Sequence, residues 1–250
     1  EFLPISSTGH LILVSSVIGV VQNEFTKTFE IAIQLGAILA VVVLYFKSFL
    51  EVSLLKKLSV AFIPTGIVGL ALYKILKVYL LGNTVVVIVS LFTGGVILIL
   101  FEQWRKRPEN LSLETPQPIA PYSSVTTISY RQALTLGVCQ AVAIIPGISR
   151  SGATIVGGMA LGIERSVIVE FSFLLAVPTM LAATGLDLLK TSAVFTLREW
   201  LILGIGLTVS FIVALLSIRW LLTYVRSHSF TSFGVYRIIL SLVFAAFLLH

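Results

Sequence analysis

The chain has 250 residues, of which 57% are hydrophobic and 11% charged, and its mean hydropathy is +1.06. A soluble domain carries about 25% charged residues, so this composition excludes a water-covered globule; one cysteine, Cys139, excludes a disulfide scaffold, and the lack of any long charge run excludes a nucleic-acid-binding tail, leaving no nucleic acid as a partner. The net charge of +6 is therefore read through membrane topology.

The chain opens on Glu1 inside a dense polar motif with no Met, signal peptide or leading apolar stretch, and it reads as lacking its true N-terminus. That motif, Glu1-Phe2-Leu3-Pro4-Ile5-Ser6-Ser7-Thr8-Gly9-His10, runs on into Leu11-Ile12-Leu13-Val14 as an apolar segment broken by small and hydroxylic residues. Apolar runs long enough to cross ~30 Å of hydrocarbon follow at 30–47, 58–81 and 84–104. A polar connection at 105–130 starts with Arg105-Lys106-Arg107-Pro108 and continues rich in Ser, Thr and Pro; it reads as a linker between halves. A second broken segment, Ile145-Pro146-Gly147-Ile148-Ser149-Arg150-Ser151-Gly152-Ala153-Thr154, precedes spans expected at 166–190, 197–225 and 233–250. The expected fold is an all-α polytopic membrane protein with its lipid bilayer as solvent.

The two broken segments align without a gap from Ser6 and Ser149, pairing Ser7 with Arg150, Thr8 with Ser151 and Gly9 with Gly152, with a proline just upstream in each. An internal repeat of about 140 residues is the simplest account. The halves, 1–104 and 131–250, would each hold one re-entrant broken hairpin and three transmembrane helices, and an odd number of spans inverts one half relative to the other. The first hairpin would lack its incoming arm. Alternating the spans puts eleven Lys and Arg on one side (Lys47, Lys56, Lys57, Arg105, Lys106, Arg107, Arg131, Arg165, Arg219, Arg226, Arg237) and five on the other (Lys27, Lys74, Lys77, Lys190, Arg198), which assigns the 48–57 loop and the linker to the cytoplasm.

Proline, a hydroxylic turn and then an apolar run signal a helix start. Such a start inside a membrane presents unpaired N–H groups and a positive dipole end to an anion, and is tolerated there only among protein or water. Two of them facing each other, with Arg150 on one and His10 on the other, would make a cationic pocket of phosphate size, and the planar arginine fork suits phosphate oxygens. Glu1 beside an anion site points to a divalent cation or to proton transfer, and so to metal-assisted phosphoryl transfer. Ser6, Ser7 and His10 are candidate nucleophiles and acid/base groups; spacing alone leaves the attacker open. Glu30 and Glu170 are open between interface anchoring and a site role, while His228, His250 and Cys139 lack partners at metal-ligand spacing.

Taken together, the motif from Glu1 to Leu11 and the motif from Pro146 to Thr154 resemble the two signatures of the undecaprenyl-diphosphate phosphatase family, also called the bacitracin-resistance protein family. Supporting stretches are Phe29 to Ala40, Phe171 to Pro178 and Tyr236-Arg237-Ile238, so the resemblance spans the chain. It implies an enzyme of the bacterial inner membrane that hydrolyses undecaprenyl diphosphate to the monophosphate and inorganic phosphate, recycling the carrier for peptidoglycan, with a divalent cation (Mg or Ca) and a site facing the extracytoplasmic side. By the same resemblance Glu1 is a metal or acid/base residue, Ser6, Ser7 and His10 form the catalytic turn with Arg150, and Ser149, Arg150, Ser151, Gly152 and Thr154 bind the diphosphate. Ser7 and His10 both remain candidates for the nucleophile, and the oligomeric state, a homo-oligomer included, stays open. The family's first glutamate, four residues before the position of Glu1, is absent. The alternative from another class is a lipid-phosphate flippase or transporter using the same inverted-repeat site.

Overall fold

A computed structural model describes residues 1–20, 23–75, 79–80, 83–105, 125–190 and 195–248, and every regular element in them is helical. In chain order these are α1 (Ser7–Val17), α2 (Glu24–Leu44), α3 (Val52–Ile75), α4 (Thr84–Trp104), α5 (Tyr130–Ala141), α6 (Arg150–Ala160), α7 (Arg165–Lys190), α8 (Leu197–Ser227) and α9 (Thr231–Leu248). Short 3₁₀ turns at Ser48–Leu50, Val125–Thr127 and Val142–Ile144 join them. Most of the expected linker, including Lys106 and Arg107, lies outside the described residues, as do Lys77 and His250. Its last part is more ordered than a linker, because Val125 and Ile128 are buried in the core and Lys57 Nζ donates to the Thr126 carbonyl at 2.5 Å.

The helix starts follow local capping chemistry. Asn23 accepts from the Thr26 N–H at 2.8 Å, which starts α2 six residues before the apolar run expected from residue 30. Asn83 accepts from the Val85 and Val86 N–H groups and fixes the start of α4 at the expected residue. Ser129 with Gln132, and Thr196 with Glu199, form reciprocal capping boxes at α5 and α8. Pro64 and Pro178 sit inside α3 and α7, where neighbouring helices make the interrupted backbone tolerable.

Among the described residues, five helices are long and apolar enough to cross a membrane: Phe25–Leu44, Val52–Tyr73, Thr84–Trp104, Arg165–Leu186 and Leu197–Ser227. The sixth expected span, 233–250, coincides with α9, whose 18 described residues make it shorter than these five. This is a multi-pass membrane protein. Large apolar side chains such as Val43, Leu70, Ile97, Ile205 and Leu216 face outward, as lipid requires. The short helices α1, α5 and α6, of 11, 12 and 11 residues, each rise only about 16–18 Å at ~1.5 Å per residue and cannot cross alone.

Close helix pairs meet through small residues. A side chain on Gly36 would strike the Leu207 carbonyl of α8, one on Gly137 would strike the Ala61 carbonyl of α3, and Gly95 and Gly234 face each other's carbonyls between α4 and α9. Helix association in lipid depends on such backbone approach. The centre is α7, 67% of whose span is buried against 17–39% for the other four. Phe171, Phe173, Leu174 and Leu175 are wholly enclosed there, and the cluster around them includes Phe2, which sets its ring edge-on to Phe173. The turn before α1 is thereby anchored in the core.

Candidate active site

Helices α1 and α6 begin with the same local structure. Ser6 (φ 68°) and Ser149 (φ 77°) both occupy the left-handed region and cap their helices, their Oγ atoms accepting from the Gly9 and Gly152 N–H groups at 3.3 and 3.2 Å. A non-glycine residue there costs of order 1–3 kcal/mol, and such strain gathers at functional sites. Gly147 (φ 96°) packs so tightly on α4 that a Cβ would lie 2.7 Å from the Val87 carbonyl oxygen. Among the described residues the first two backbone N–H groups of each helix, at Ser7, Thr8, Arg150 and Ser151, make no hydrogen bond. Unpaired N–H groups at a helix start are able to bind an anion.

The two turns are tied across one another. Arg150 Nη2 donates to Glu1 Oε1 at 3.0 Å, and the pair is only 13% and 11% exposed. The other oxygen of that carboxylate, Oε2, accepts from Ser7 Oγ. Ser151 Oγ donates to the Leu3 carbonyl at 3.1 Å, and Thr154 Oγ1 donates to the Arg150 carbonyl at 2.9 Å. Arg150 Nη1 is buried and has no hydrogen-bond partner. A carboxylate holding a serine proton on one oxygen and an arginine on the other, beside an unengaged guanidinium N–H, has the geometry that a general base next to an oxyanion binder requires.

His10 is held differently. Its Nδ1 lies 2.7 Å from the Ser6 carbonyl, which can only accept, so Nδ1 carries the proton and Nε2 accepts from the Tyr236 hydroxyl at 2.8 Å. The two rings lie nearly parallel. Both ring nitrogens are thus engaged by the protein.

Arg237 corrects a sequence assignment. Alternating the spans counts it among the cytoplasmic charges, yet its side chain is 1% exposed and all its donors go to backbone carbonyls. Nη1 reaches Pro4 and Ile148, Nη2 reaches Ser90 and Gly147, and Nε reaches Leu91, at 2.8–3.3 Å. Gly94 makes room for it, since a Cβ there would lie 2.1 Å from Nη2. The guanidinium therefore clamps the turn before α1, the turn before α6 and the middle of α4. The sequence does carry a usable signal: Arg237 falls within the span expected at 233–250, and an arginine in an apolar span is costly and functional by default. Arg165, also counted for topology, is half-buried and grips Glu102 with Nη2 and the His228 carbonyl with Nη1.

A cavity of about 250 Å³ opens between the turns, lined by Glu1, Ser6, Ser7, Thr8, Ser149 and Arg150 on one side and by Gln34, Thr65, Gln140 and Thr179 from α2, α3, α5 and α7. Sequence reasoning named the first group except Thr8. It missed the second, because isolated Gln and Thr in apolar helices carry no local signal of site membership. His10, Ser151, Gly152 and Thr154 are not part of the lining; the last three brace the α6 turn from beneath it, and Ser6 and Ser149 serve as caps. Glu30 accepts from Ser15 Oγ at 2.7 Å and joins α2 to α1.

Among the described residues no group of three His, Cys, Asp or Glu could hold a metal ion, and Glu1 is the one carboxylate among them on the cavity wall. That donor set does not make an all-protein cage, but it fits a hard cation held by one carboxylate together with substrate phosphates.

The family model described as "Bacitracin resistance protein BacA" matches residues 1–243. The chain is 50% identical over 250 residues to a protein of Aquifex aeolicus (strain VF5) named "Undecaprenyl-diphosphatase", covering all of this chain and 93% of that relative. It is 51% identical over 244 residues to one of the same name from Sulfurihydrogenibium sp. (strain YO3AOP1), covering 98% and 92%. A third of that name, from Persephonella marina, is 46% identical over 250 residues, covering 100% and 94%. With a family match over residues 1–243 and relatives about 50% identical over nearly its whole length, this chain belongs to the bacitracin resistance protein family.

Proposed function

We propose that this protein hydrolyses undecaprenyl diphosphate to undecaprenyl phosphate and inorganic phosphate, returning the lipid carrier to envelope synthesis and conferring bacitracin resistance. The observation that carries the reading is the Ser7–Glu1–Arg150 chain at the mouths of two helix N-termini. Arg150 and the free N–H groups of α1 and α6 bind the diphosphate, with Nη1 as the first contact. Ser7 Oγ attacks the terminal phosphorus as its proton passes to Glu1, the bridging P–O bond breaks, and the lipid monophosphate leaves. Water then attacks phosphorus, the P–Oγ bond breaks, and Ser7 regains a proton. His10 is disfavoured as the nucleophile because Ser6 and Tyr236 engage both its nitrogens. A hydrogen-bonded serine–carboxylate pair has no use in simple carriage, so chemistry is preferred over a flippase.

Glu1 would hold a divalent cation, Mg or Ca, jointly with the phosphates, and that cation would neutralise charge on the transferred group. The architecture is proposed to be an inverted repeat, with 1–104 and 131–250 as halves. Support comes from the matching serine caps and from the order short helix followed by three longer ones in both α1–α4 and α6–α9. The site is proposed to open to the extracytoplasmic side of the bacterial cell membrane. Phosphate release from undecaprenyl diphosphate by purified protein in detergent, with and without EDTA, tests the reading. Release by wild type and its loss in Ser7→Ala are expected; release by Ser7→Ala at the wild-type rate overturns it.

A further inference from the structure

The second wall of the cavity carries a group that the chemistry above does not use. Gln140 is 1% exposed, and its Nε2 lies 3.1 Å from Thr65 Oγ1 and 3.0 Å from Thr179 Oγ1. The orientation of this amide is fixed by its surroundings. Thr65 Oγ1 donates to the Gly137 carbonyl at 3.1 Å and Thr179 Oγ1 to the Leu175 carbonyl at 2.7 Å, so both hydroxyls have only lone pairs left for Gln140. The amide must turn its two N–H groups toward them. Oε1 is then left buried and without a donor.

Two unmatched groups therefore share this cavity: a donor, Arg150 Nη1, and an acceptor, Gln140 Oε1. An unpaired buried polar atom is costly, and an amide held rigid by two threonines loses little further freedom when it binds a ligand. The donor suits a phosphate oxygen. The acceptor cannot take a phosphate anion and needs an O–H. We infer that Gln140, held by Thr65 and Thr179, orients the water that attacks phosphorus when phosphate is released from Ser7. Gln140 Oε1 accepts one water O–H while the water oxygen forms the new bond to phosphorus. The P–Oγ bond to Ser7 breaks, Ser7 Oγ takes back the proton that Glu1 holds, and both water protons leave with inorganic phosphate. Glutamine in this office is known chemistry in phosphoryl transfer.

The inference rests on the Ser7 reading, and the experiment separates the two. Full-length Gln140→Met and wild type in detergent micelles are given undecaprenyl diphosphate labelled in the terminal phosphate, with methanol as a competing nucleophile. Methyl phosphate and inorganic phosphate are counted, and so is label retained on protein. The product ratio does not depend on how much of a variant is folded. Gln140→Met is expected to release inorganic phosphate about ten-fold more slowly, the effect of one lost hydrogen bond. It should retain more label on Ser7 and shift the product ratio several-fold toward methyl phosphate. If Gln140→Met yields no folded protein, Thr179→Val, which lets the amide turn, is measured in its place with the same direction expected. An unchanged product ratio overturns the role of Gln140. Absence of label on Ser7 in both proteins, with the ratio still shifted, overturns the Ser7 step and leaves Gln140 orienting water for direct attack on the substrate.

Discussion

Replacing Arg237 by Met keeps a long apolar stem and removes every donor. The carbonyls of Ser90 and Leu91 lie within α4 and keep its helical ladder, but those of Pro4, Gly147 and Ile148 sit in turns and have no other donor among the described residues. Leaving three such groups unpaired costs together roughly 3–9 kcal/mol. Relief from desolvating a guanidinium that no carboxylate contacts, worth several kcal/mol, offsets part of that. Folding should therefore weaken modestly, while the turns before α1 and α6 lose their common anchor. A displacement of about 1 Å at a reacting group can cost ~100-fold in rate, so turnover should fall by at least that factor. Arg237→Lys, with three N–H groups for five carbonyls, should retain the fold with an intermediate loss. Melting temperature in detergent and phosphate release are the two assays. Wild-type turnover in Arg237→Met would refute the clamp.

Other outcomes follow from the same geometry. Arg150→Ala should lower phosphate release by at least ~100-fold, the scale of losing one oxyanion donor; steady-state kinetics with undecaprenyl diphosphate would show it. Tyr236→Phe, which removes the donor to His10 Nε2, should cost less than ~10-fold because only one hydrogen bond away from the cavity is lost. A loss as deep as that of Ser7→Ala would restore His10 as nucleophile. Adding EDTA should abolish release and excess Mg or Ca should restore it. Unchanged activity in EDTA would exclude the proposed cation.

What could be read from the sequence divides along physical lines. Short-range signals were legible: the proline, serine and glycine pattern at Pro4–Gly9 and Pro146–Gly152 did mark two helix starts, but the expected pairing of Arg150 with His10 in one cationic pocket did not form, since Arg150 meets Glu1 and His10 meets Tyr236. The start of α4 was legible too, although Asn23 began α2 earlier than hydropathy suggested, because a cap acts before the apolar run. Long-range partnerships were not legible. Tyr236 meets His10 across 226 positions, and Gln140 meets Thr65 across 75. Arg237 was misread because Lys and Arg were counted by alternating loops, a rule that holds for charges in water and fails for one solvated by carbonyls inside the protein.

The central claim is that Ser7 attacks the terminal phosphorus, with Glu1 taking its proton and Arg150 holding the phosphate. Rapid quench in neutral denaturant of wild-type protein with undecaprenyl diphosphate labelled in the terminal phosphate, followed by peptide mapping and an acid-stability test of the label, tests it directly. Label on the peptide containing Ser7, in the acid-stable form of a serine ester and absent from Ser7→Ala, is the expected result. Acid-labile label on His10, with Ser7→Ala still turning over, would contradict it.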